Sequence, residues 1–328
     1  MSLIEAQHVG KSFRRFEKAP GLAGSVKSLF HRAYTEKRAV HDFDLTVEFG
    51  EFVGLIGANG AGKTTLIKML TGIIAPSSGR LSVLGHVPNR LENEFKRQYA
   101  VVMGQKSQLF FELTAADTFL LFKQLYEIPG AEFKRNMDYF VDLFGVSELT
   151  NVQVRTLSLG ERMKMELIVA LLHNPAVLFL DEPTLGLDAV AQRQMRGFLR
   201  SVNRDKGTTI LLTSHYMEDI MSLCPRCVVI SHGSKLYDGA LDTLIHTYQH
   251  HKKITVEFTS ETDLSLPEDV QVLERGPFKL SLLAERGRVQ ALLGLLVRQG
   301  PIADIGVEEE DIGVVVERIY AAGEEAGA

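Results

Sequence analysis

One run of residues near position 60 has the types and spacing needed to bind phosphate groups. Residues 57–65 read Gly-Ala-Asn-Gly-Ala-Gly-Lys-Thr-Thr, which fits the pattern G-x-x-x-x-G-K-[ST]. Glycines let backbone N–H groups wrap an anion, and a helix that begins directly after them adds a favourable dipole. In this pattern the lysine, here Lys63, contacts the β- and γ-phosphates, and the hydroxyl of the following residue, here Thr64, is a Mg²⁺ ligand. The predicted phosphate contacts are Gly57, Ala58, Asn59, Gly60, Ala61, Gly62, Lys63, Thr64 and Thr65.

Two adjacent carboxylates supply a second chemical feature. The apolar run 176–180 is typical of a strand buried on both faces of a parallel sheet, and it ends in Asp181 and Glu182. Asp181 can hold Mg²⁺ directly or through water, and Glu182 can polarise the water that attacks a γ-phosphate. We therefore predict that Asp181 is a metal ligand and that Glu182 is a general base.

The surrounding pattern shows which elements must position these groups. The apolar run 52–56 predicts a strand, and 63–70 predicts a helix, so the glycines occupy a strand-to-helix turn. Residues 106–170 alternate apolar stripes with polar faces and predict helices, one with the stripe Phe119, Phe122, Leu125 and Tyr126. Strands and helices alternate again over 171–240. The fold class is α/β.

With these motifs in order, residues 1–245 resemble the nucleotide-binding subunit of ABC transporters. Gln105 resembles the Q-loop, 157–161 the signature motif, 185–188 the D-loop and His215 the switch histidine. The resemblance implies a P-loop NTPase fold with a RecA-like core, an antiparallel β subdomain and a helical subdomain. It also implies an ATPase that binds ATP and Mg²⁺.

The resemblance assigns further roles within one ATP site. Gln105 joins Thr64 and Asp181 around Mg²⁺ and its waters, and His215 contacts the γ-phosphate. Lys63, Glu182 and His215 form the catalytic set. An aromatic ring stacks on adenine in this family, and Phe13 stands at the usual place, with Phe16 and Tyr34 as alternatives.

The resemblance also implies that one chain is not enough. Ser158 and Gly160 of the signature complete the ATP site of a second protomer, and Asp188 lies at that two-fold interface. The partner is a second copy or a homologous ATPase subunit. The signature departs from the common Leu-Ser-Gly-Gly-Gln, because Leu159 and Glu161 replace a glycine and the glutamine. A negative Glu161 near a nucleotide is expected to weaken that contact.

This signature variant resembles a subgroup that serves exporters with separate ABC-2-type membrane permease subunits. We therefore expect ATP-driven dimer closure coupled to export at the cytoplasmic face of a membrane, with the chain held there through the permease. The alternatives are an importer subunit, a soluble ABC-type ATPase without a transport role, and a non-hydrolysing scaffold. The sequence has 328 residues, a formal net charge of −5, no run of about 18 apolar residues and no signal-peptide pattern. The charge gives no reason to expect a nucleic acid as partner.

Four further features of the sequence allow predictions. The insertion at 18–37 is basic, and its apolar spacing, which includes Ala33, predicts a helix over 21–34 that docks on lipid or permease or packs on its own domain. The pattern of residues 246–328 predicts a small α+β domain, for which the ferredoxin-like fold is one candidate, and we expect a regulatory or dimerisation role. Cys224 and Cys227 are expected to be buried packing residues, and the histidine-rich run 246–251 a solvated linker.

Overall fold

The computed structural model describes residues 2–17, 33–104, 106–214, 216–261, 264–267 and 270–327. The chain divides into two compact units, Met1–Gly239 and Ala240–Ala328. Gln105, His215 and residues 18–32, which include most of the basic segment, lie outside the described residues.

The first unit contains two sheets. Its strands are β1 (Ser2–Glu17), β2 (Ala33–Glu48), β3 (Phe52–Ile56), β4 (Ser78–Val83), β5 (Tyr99–Met103), β6 (Val177–Asp181), β7 (Thr209–Thr213), β8 (Arg226–Ser231) and β9 (Ser234–Ala240). The larger sheet has the order β5-β6-β7-β3-β8-β9, and its first five strands run parallel. The smaller sheet is antiparallel with the order β2-β1-β4.

The parallel sheet explains why the candidate site residues lie close together. Strands β3, β6 and β7 are buried along their whole length, as the apolar runs of β3 and β6 predicted for those two strands. In such sheets ligands bind at the carboxyl ends of the strands. The phosphate loop follows β3, Asp181 ends β6 and Thr213 ends β7, so all three lie at one edge.

The helices of the first unit include three that form the predicted helical region 106–170. In chain order the helices are α1 (Lys63–Leu70), α2 (Asn93–Lys96), α3 (Ala115–Leu125), α4 (Gly130–Phe144), α5 (Leu159–Leu171), α6 (Ala189–Lys206) and α7 (Met217–Leu223), with short 3-10 turns at Pro88–Arg90, Ser147–Leu149 and Val154–Thr156. One stripe prediction is wrong at its end, because Phe119 is fully buried whereas Leu125 is 65% exposed. No helix in the described part of the chain is both long and apolar enough to cross a membrane.

The second unit is a small α+β fold. Its elements are α8 (Leu241–Tyr248), β10 (His251–Phe258), β11 (Gln271–Arg275), β12 (Lys279–Glu285), a 3-10 turn (Arg286–Arg288), α9 (Val289–Gln299), β13 (Ile302–Glu309) and α10 (Ile312–Gly327). The sheet is antiparallel with the order β11-β12-β10-β13, which is the strand order of a ferredoxin-like sheet. A helix, α9, joins β12 to β13, whereas the described residues between β10 and β11 form no helix.

Two sequence predictions are wrong at their boundaries. The histidine-rich run is not a linker, because buried Leu241 and Leu244 hold His246 in α8, and His251 begins the ladder of β10. The predicted helix over 21–34 cannot reach its end, because Ala33 and Tyr34 already belong to β2, paired with Glu17 and Phe16 of β1. Pairing with another strand places His251, Ala33 and Tyr34, whereas burial of two leucines places His246.

Candidate functional site

The phosphate loop is shaped by glycine at its junction with α1. Gly62 caps the helix with φ of 112°, and a Cβ there would lie 2.5 Å from the carbonyl oxygen of Ala39. Only glycine fits this backbone without strain. Because Gly62 has no side chain to occupy the first-turn N–H groups, these donors are left for a bound anion.

Lys63 is held inside this loop. Its Nζ donates hydrogen bonds to the carbonyl oxygens of Gly57 (2.6 Å) and Ala58 (3.3 Å), and the residue is only 6% exposed. Burial lowers the pKa of Lys63, and the nearby Glu182 and Asp181 carboxylates oppose that shift. The ammonium group is therefore poised in the loop, where phosphate oxygens can replace the two carbonyls as its acceptors.

Asp181 lies where three elements meet. Its Oδ1 accepts hydrogen bonds from the Thr213 hydroxyl (2.7 Å) and the Thr64 hydroxyl (3.3 Å), which come from β7 and α1. A hydroxyl and a carboxylate placed together are the hard oxygen ligands that Mg²⁺ takes beside substrate phosphates. The residues present therefore fit a magnesium ion. Sequence reasoning missed Thr213, although a threonine at the carboxyl end of a buried strand was a usable signal.

Glu182 has a strained backbone. Its φ is +57°, and its N–H donates to both the carbonyl oxygen and the hydroxyl of Thr213, each at 3.1 Å. Gly104 approaches closely, since a Cβ on it would lie 2.6 Å from the Glu182 carbonyl oxygen. Non-glycine residues in this region carry a conformational cost and cluster at functional sites. Sequence reasoning also missed Gly104, which allows this contact one residue before Gln105.

These groups line one cleft of about 460 Å³. Its wall includes predicted phosphate-loop residues from Ala58 to Thr65, both acidic residues, and Phe13. Phe13 is 41% exposed, with Lys11 Nζ 5.3 Å from the centre of its ring. Of its rivals, Tyr34 is not among the lining residues, and the side chain of Phe16 lies outside the described part of the chain. Adenine stacking on Phe13 stays a prediction. The cleft also contains Lys37 and Lys106, which the sequence pattern did not single out.

Most of the signature and D-loop residues line a separate groove of about 550 Å³, the signature groove, whereas Leu185 of the D-loop lines the phosphate cleft. Ser158, Gly160 and Asp188 line it, and none of them lines the phosphate cleft. The two loops pack together, since a Cβ on Gly186 would lie 3.2 Å from Leu159 Cδ2. Asp188 caps α6 by accepting from the Ala191 N–H at 2.8 Å.

Glu161 has a local role within this groove. Its Oε2 accepts hydrogen bonds from the N–H and the hydroxyl of Ser158, both at 2.8 Å, and the Ser158 Oγ accepts from the Glu161 N–H at 3.3 Å. This reciprocal pair is a capping box at the start of α5. The Ser158 hydrogen bonds lower the pKa of Glu161, so the carboxylate stays charged and occupies the N–H and the hydroxyl of Ser158.

The two cysteines lie away from this chemistry. Cys224 and Cys227 are both buried and unbonded, as expected of packing residues. Burial raises the pKa of Cys227 to about 12, so its sulfur remains a protonated thiol at neutral pH.

Comparison with known proteins gives the same picture. A family model described as ABC transporter matches residues 40–185. ABC transporter ATP-binding protein NatA of Bacillus subtilis (strain 168) is 36% identical over 207 residues, which are 63% of this chain and 84% of that protein. Nod factor export ATP-binding protein I of Burkholderia thailandensis is 37% identical over 217 residues, which are 66% of this chain and 70% of that protein.

A solved structure described as the ATP-binding subunit of an ABC transporter also resembles the chain. The TM-score is 0.62 at 26% sequence identity, over 75% of this chain and 93% of the other. The chain therefore belongs to the ABC transporter family, as an ATP-binding ATPase subunit.

Proposed function

We propose that the chain is the ATP-hydrolysing subunit of a multi-subunit ABC exporter, which couples ATP-driven dimer closure to export through a separate ABC-2-type membrane permease. The observation that carries the proposal is the split site. The phosphate cleft and the signature groove are separate surfaces of one unit and have no lining residue in common. A two-fold pair of chains, or a pair with a homologous ATPase subunit, would join each cleft to the groove of its partner.

Each described residue has a role in this cycle. Lys63 and the loop N–H groups bind phosphates, and Glu182 orients and deprotonates the attacking water. Thr64, Asp181 and the predicted Gln105 would hold Mg²⁺, which would supply positive charge to offset that of the phosphates. Asp181 stays fixed for this purpose by the Thr213 hydroxyl, 2.7 Å away.

The signature groove gives the cycle its conformational step. Ser158 and Gly160 would meet the γ-phosphate bound by the partner, so ATP links the two chains until it is hydrolysed. Such a ligand shifts the population from open to closed dimers because it makes contacts with both chains only in the closed state.

Exposed apolar side chains on the helical region support a protein partner. They are Phe110, Phe111, Leu113, Leu120, Leu121 and Leu125, here called the apolar patch, and they are 44–65% exposed. Exposed apolar side chains that form one continuous surface are typical of a protein interaction site, and we propose that these side chains form one. We assign it to the permease, which would hold the chain at the cytoplasmic face of the membrane. The relative named for Nod factor export supports the direction.

The division of labour between domains is also a proposal. We assign ATP binding to residues 1–245 and a regulatory or dimerisation role to residues 246–328. The described residues of the second unit contain no group of three or more histidine, cysteine, aspartate or glutamate side chains that could hold a metal ion. Its sheet ends in the edge strands β11 and β13, and edge strands are places where a strand of a partner can add to a sheet.

The partner assignment is tested by purification from detergent-solubilised membranes. Affinity-tagged wild-type chain should recover a polytopic protein that stimulates its ATPase activity after reconstitution. Changing Leu121 and Leu125 to serine should abolish recovery and stimulation but spare basal hydrolysis. Ile73→Ser is the control, since Ile73 is 53% exposed and outside the patch. Failure of the wild-type chain to recover any polytopic protein would contradict the proposal.

A further inference from the structure

A buried carboxylate outside the phosphate cleft joins three functional segments. Asp219 of α7 is fully buried and accepts hydrogen bonds from three side chains. Its Oδ2 accepts from the hydroxyls of Thr184 (2.5 Å) and Ser214 (2.7 Å). Its Oδ1 accepts from Nη1 of Arg196 (2.9 Å). These partners are themselves 2–7% exposed, so the whole cluster is shielded from water.

Each partner belongs to a segment with a proposed role. Thr184 follows Glu182 by two positions, and Ser214 directly precedes His215. The Ser214 Oγ also accepts a hydrogen bond from the Tyr216 N–H at 3.0 Å, so the cluster holds the residues on both sides of position 215. Arg196 lies on α6, the helix that begins after Asp188.

The two carboxylate oxygens do different things. Arg196 pairs with Oδ1 and neutralises the charge of the Asp219 carboxylate, and a buried charge is tolerated only when it is paired in this way. The hydroxyls on Oδ2 add no charge, yet they tie together the loops after β6 and β7. Fully satisfied buried networks of this kind rigidify the backbone that they join.

We propose that Asp219 is a positioning residue for hydrolysis. Through Oδ2 it holds Thr184 and Ser214 in one arrangement, and thereby fixes the loop that carries Glu182 relative to the loop that follows β7. The inference rests on the proposed role of Glu182 as the base and adds the contact that holds its loop in place. Small misplacements of catalytic groups lower the rate more than they lower substrate binding.

The test removes one hydroxyl at a time. Ser214→Ala and Thr184→Val should each lower kcat about tenfold, because the loss of one positioning contact is enough to misplace the catalytic groups. The dissociation constant for Mg-ATP should change less than about twofold, because the phosphate contacts remain. The double variant should lose less than the product of the single losses, since the two hydroxyls act through one oxygen.

Matched variants separate positioning from stability. Ser214→Thr and Thr184→Ser keep the hydroxyls and should retain most of kcat. Glu218→Gln removes the other ion-pair partner of Arg196, an exposed carboxylate 2.9 Å from Nη2, and should leave kcat unchanged. Asp219→Asn should lower kcat by at least as much as either single hydroxyl variant, with the rate corrected for the folded fraction by a thermal melt.

The outcomes are distinguishable from those for the proposed function. If Ser214→Ala and Thr184→Val hydrolyse ATP at the wild-type rate while Glu182→Gln is inactive, the positioning role is overturned and the proposed function stands. If Glu182→Gln keeps the wild-type rate, the proposed function fails and the reason for the positioning role fails with it.

Discussion

Neutralising Glu161 should strengthen the ATP-closed dimer. The Glu161 carboxylate occupies the Ser158 N–H and hydroxyl, each at 2.8 Å, in the signature groove proposed to meet a partner's ATP. Glutamine also forms capping boxes, so Glu161→Gln should keep the start of α5 intact while it removes the charge. We therefore expect little change in stability and a tighter closed state.

The size of the effect follows from the geometry. A phosphate oxygen that shares the Ser158 hydroxyl with this carboxylate would lie about 4–5 Å from it, given ordinary hydrogen-bond lengths. At an effective dielectric constant of about 20, two unit charges at that separation repel by about 3–4 kcal/mol. Since Glu161 is partly exposed and salt screens the interaction, we expect about 1 kcal/mol to remain, which is about a fivefold change in dimer dissociation constant.

The assay is sedimentation of the Glu182→Gln chain with Mg-ATP, with and without Glu161→Gln. The control is Asp117→Asn, which neutralises the matching capping box at Thr114 on α3, outside the signature groove. Asp117→Asn should leave dimerisation unchanged. An unchanged or weaker dimer with Glu161→Gln would refute the reasoning that this charge opposes closure.

Two predictions concern buried titratable groups. Burial lowers the pKa of His173 to about 4, so the unfolded chain takes up its proton near pH 6.5 and the folded chain does not. Its contribution to stability is present above pH 6.5 and is lost as the pH falls toward 4. Urea unfolding of the wild type should show that the free energy of unfolding falls by about 2 kcal/mol between pH 7 and pH 5 because of this group, and His173→Gln should lack this fall. If the stability of the wild type and of His173→Gln depends on pH in the same way, the prediction is wrong. Glu166 accepts from the Ser107 hydroxyl and the N–H groups of Gln108 and Leu109. Glu166→Ala should lower the free energy of unfolding by about 2–4 kcal/mol, because each buried donor left without an acceptor costs about 1–3 kcal/mol. It should also speed hydrogen exchange at the Gln108 and Leu109 amides. A variant as stable as the wild type would argue against this role of Glu166.

The sequence predicted the site best where the residues of one short segment determine the structure of that segment. The strand, glycine turn and helix around Lys63 have the predicted bounds, 52–56 and 63–70. Asp181 is the last residue of the buried strand Val177–Asp181, which lies one residue later than the predicted run 176–180, and Glu182 follows it directly. In both cases the local period and the glycines determine the structure, so no distant residue had to be known.

The predictions that depended on distant residues fared differently. The apolar spacing that suggested a helix through Tyr34 does not encode its pairing with Phe16 in a long hairpin. Leu125 fits the stripe on α3 but faces solvent, because an exposed interaction surface and a core face have the same local pattern.

Sites built from several segments were also beyond the sequence. Nothing local to Gly104 shows that the Glu182 carbonyl lies against it, and nothing local to Asp219 shows that three side chains converge there. Such contacts depend on the order of strands in the sheet. That order places the ends of β5, β6 and β7 side by side and could not be read from periodicity.

The central claim is that Glu182 is the general base in an ATP site completed by a second chain. Its most direct test is one preparation of Glu182→Gln measured for Mg-ATP turnover and for mass in solution. The account predicts ATP binding, a loss of nearly all hydrolysis, and a dimer that forms with Mg-ATP and dissociates when the nucleotide is removed. Turnover at the wild-type rate, or a monomer at saturating Mg-ATP, would contradict it.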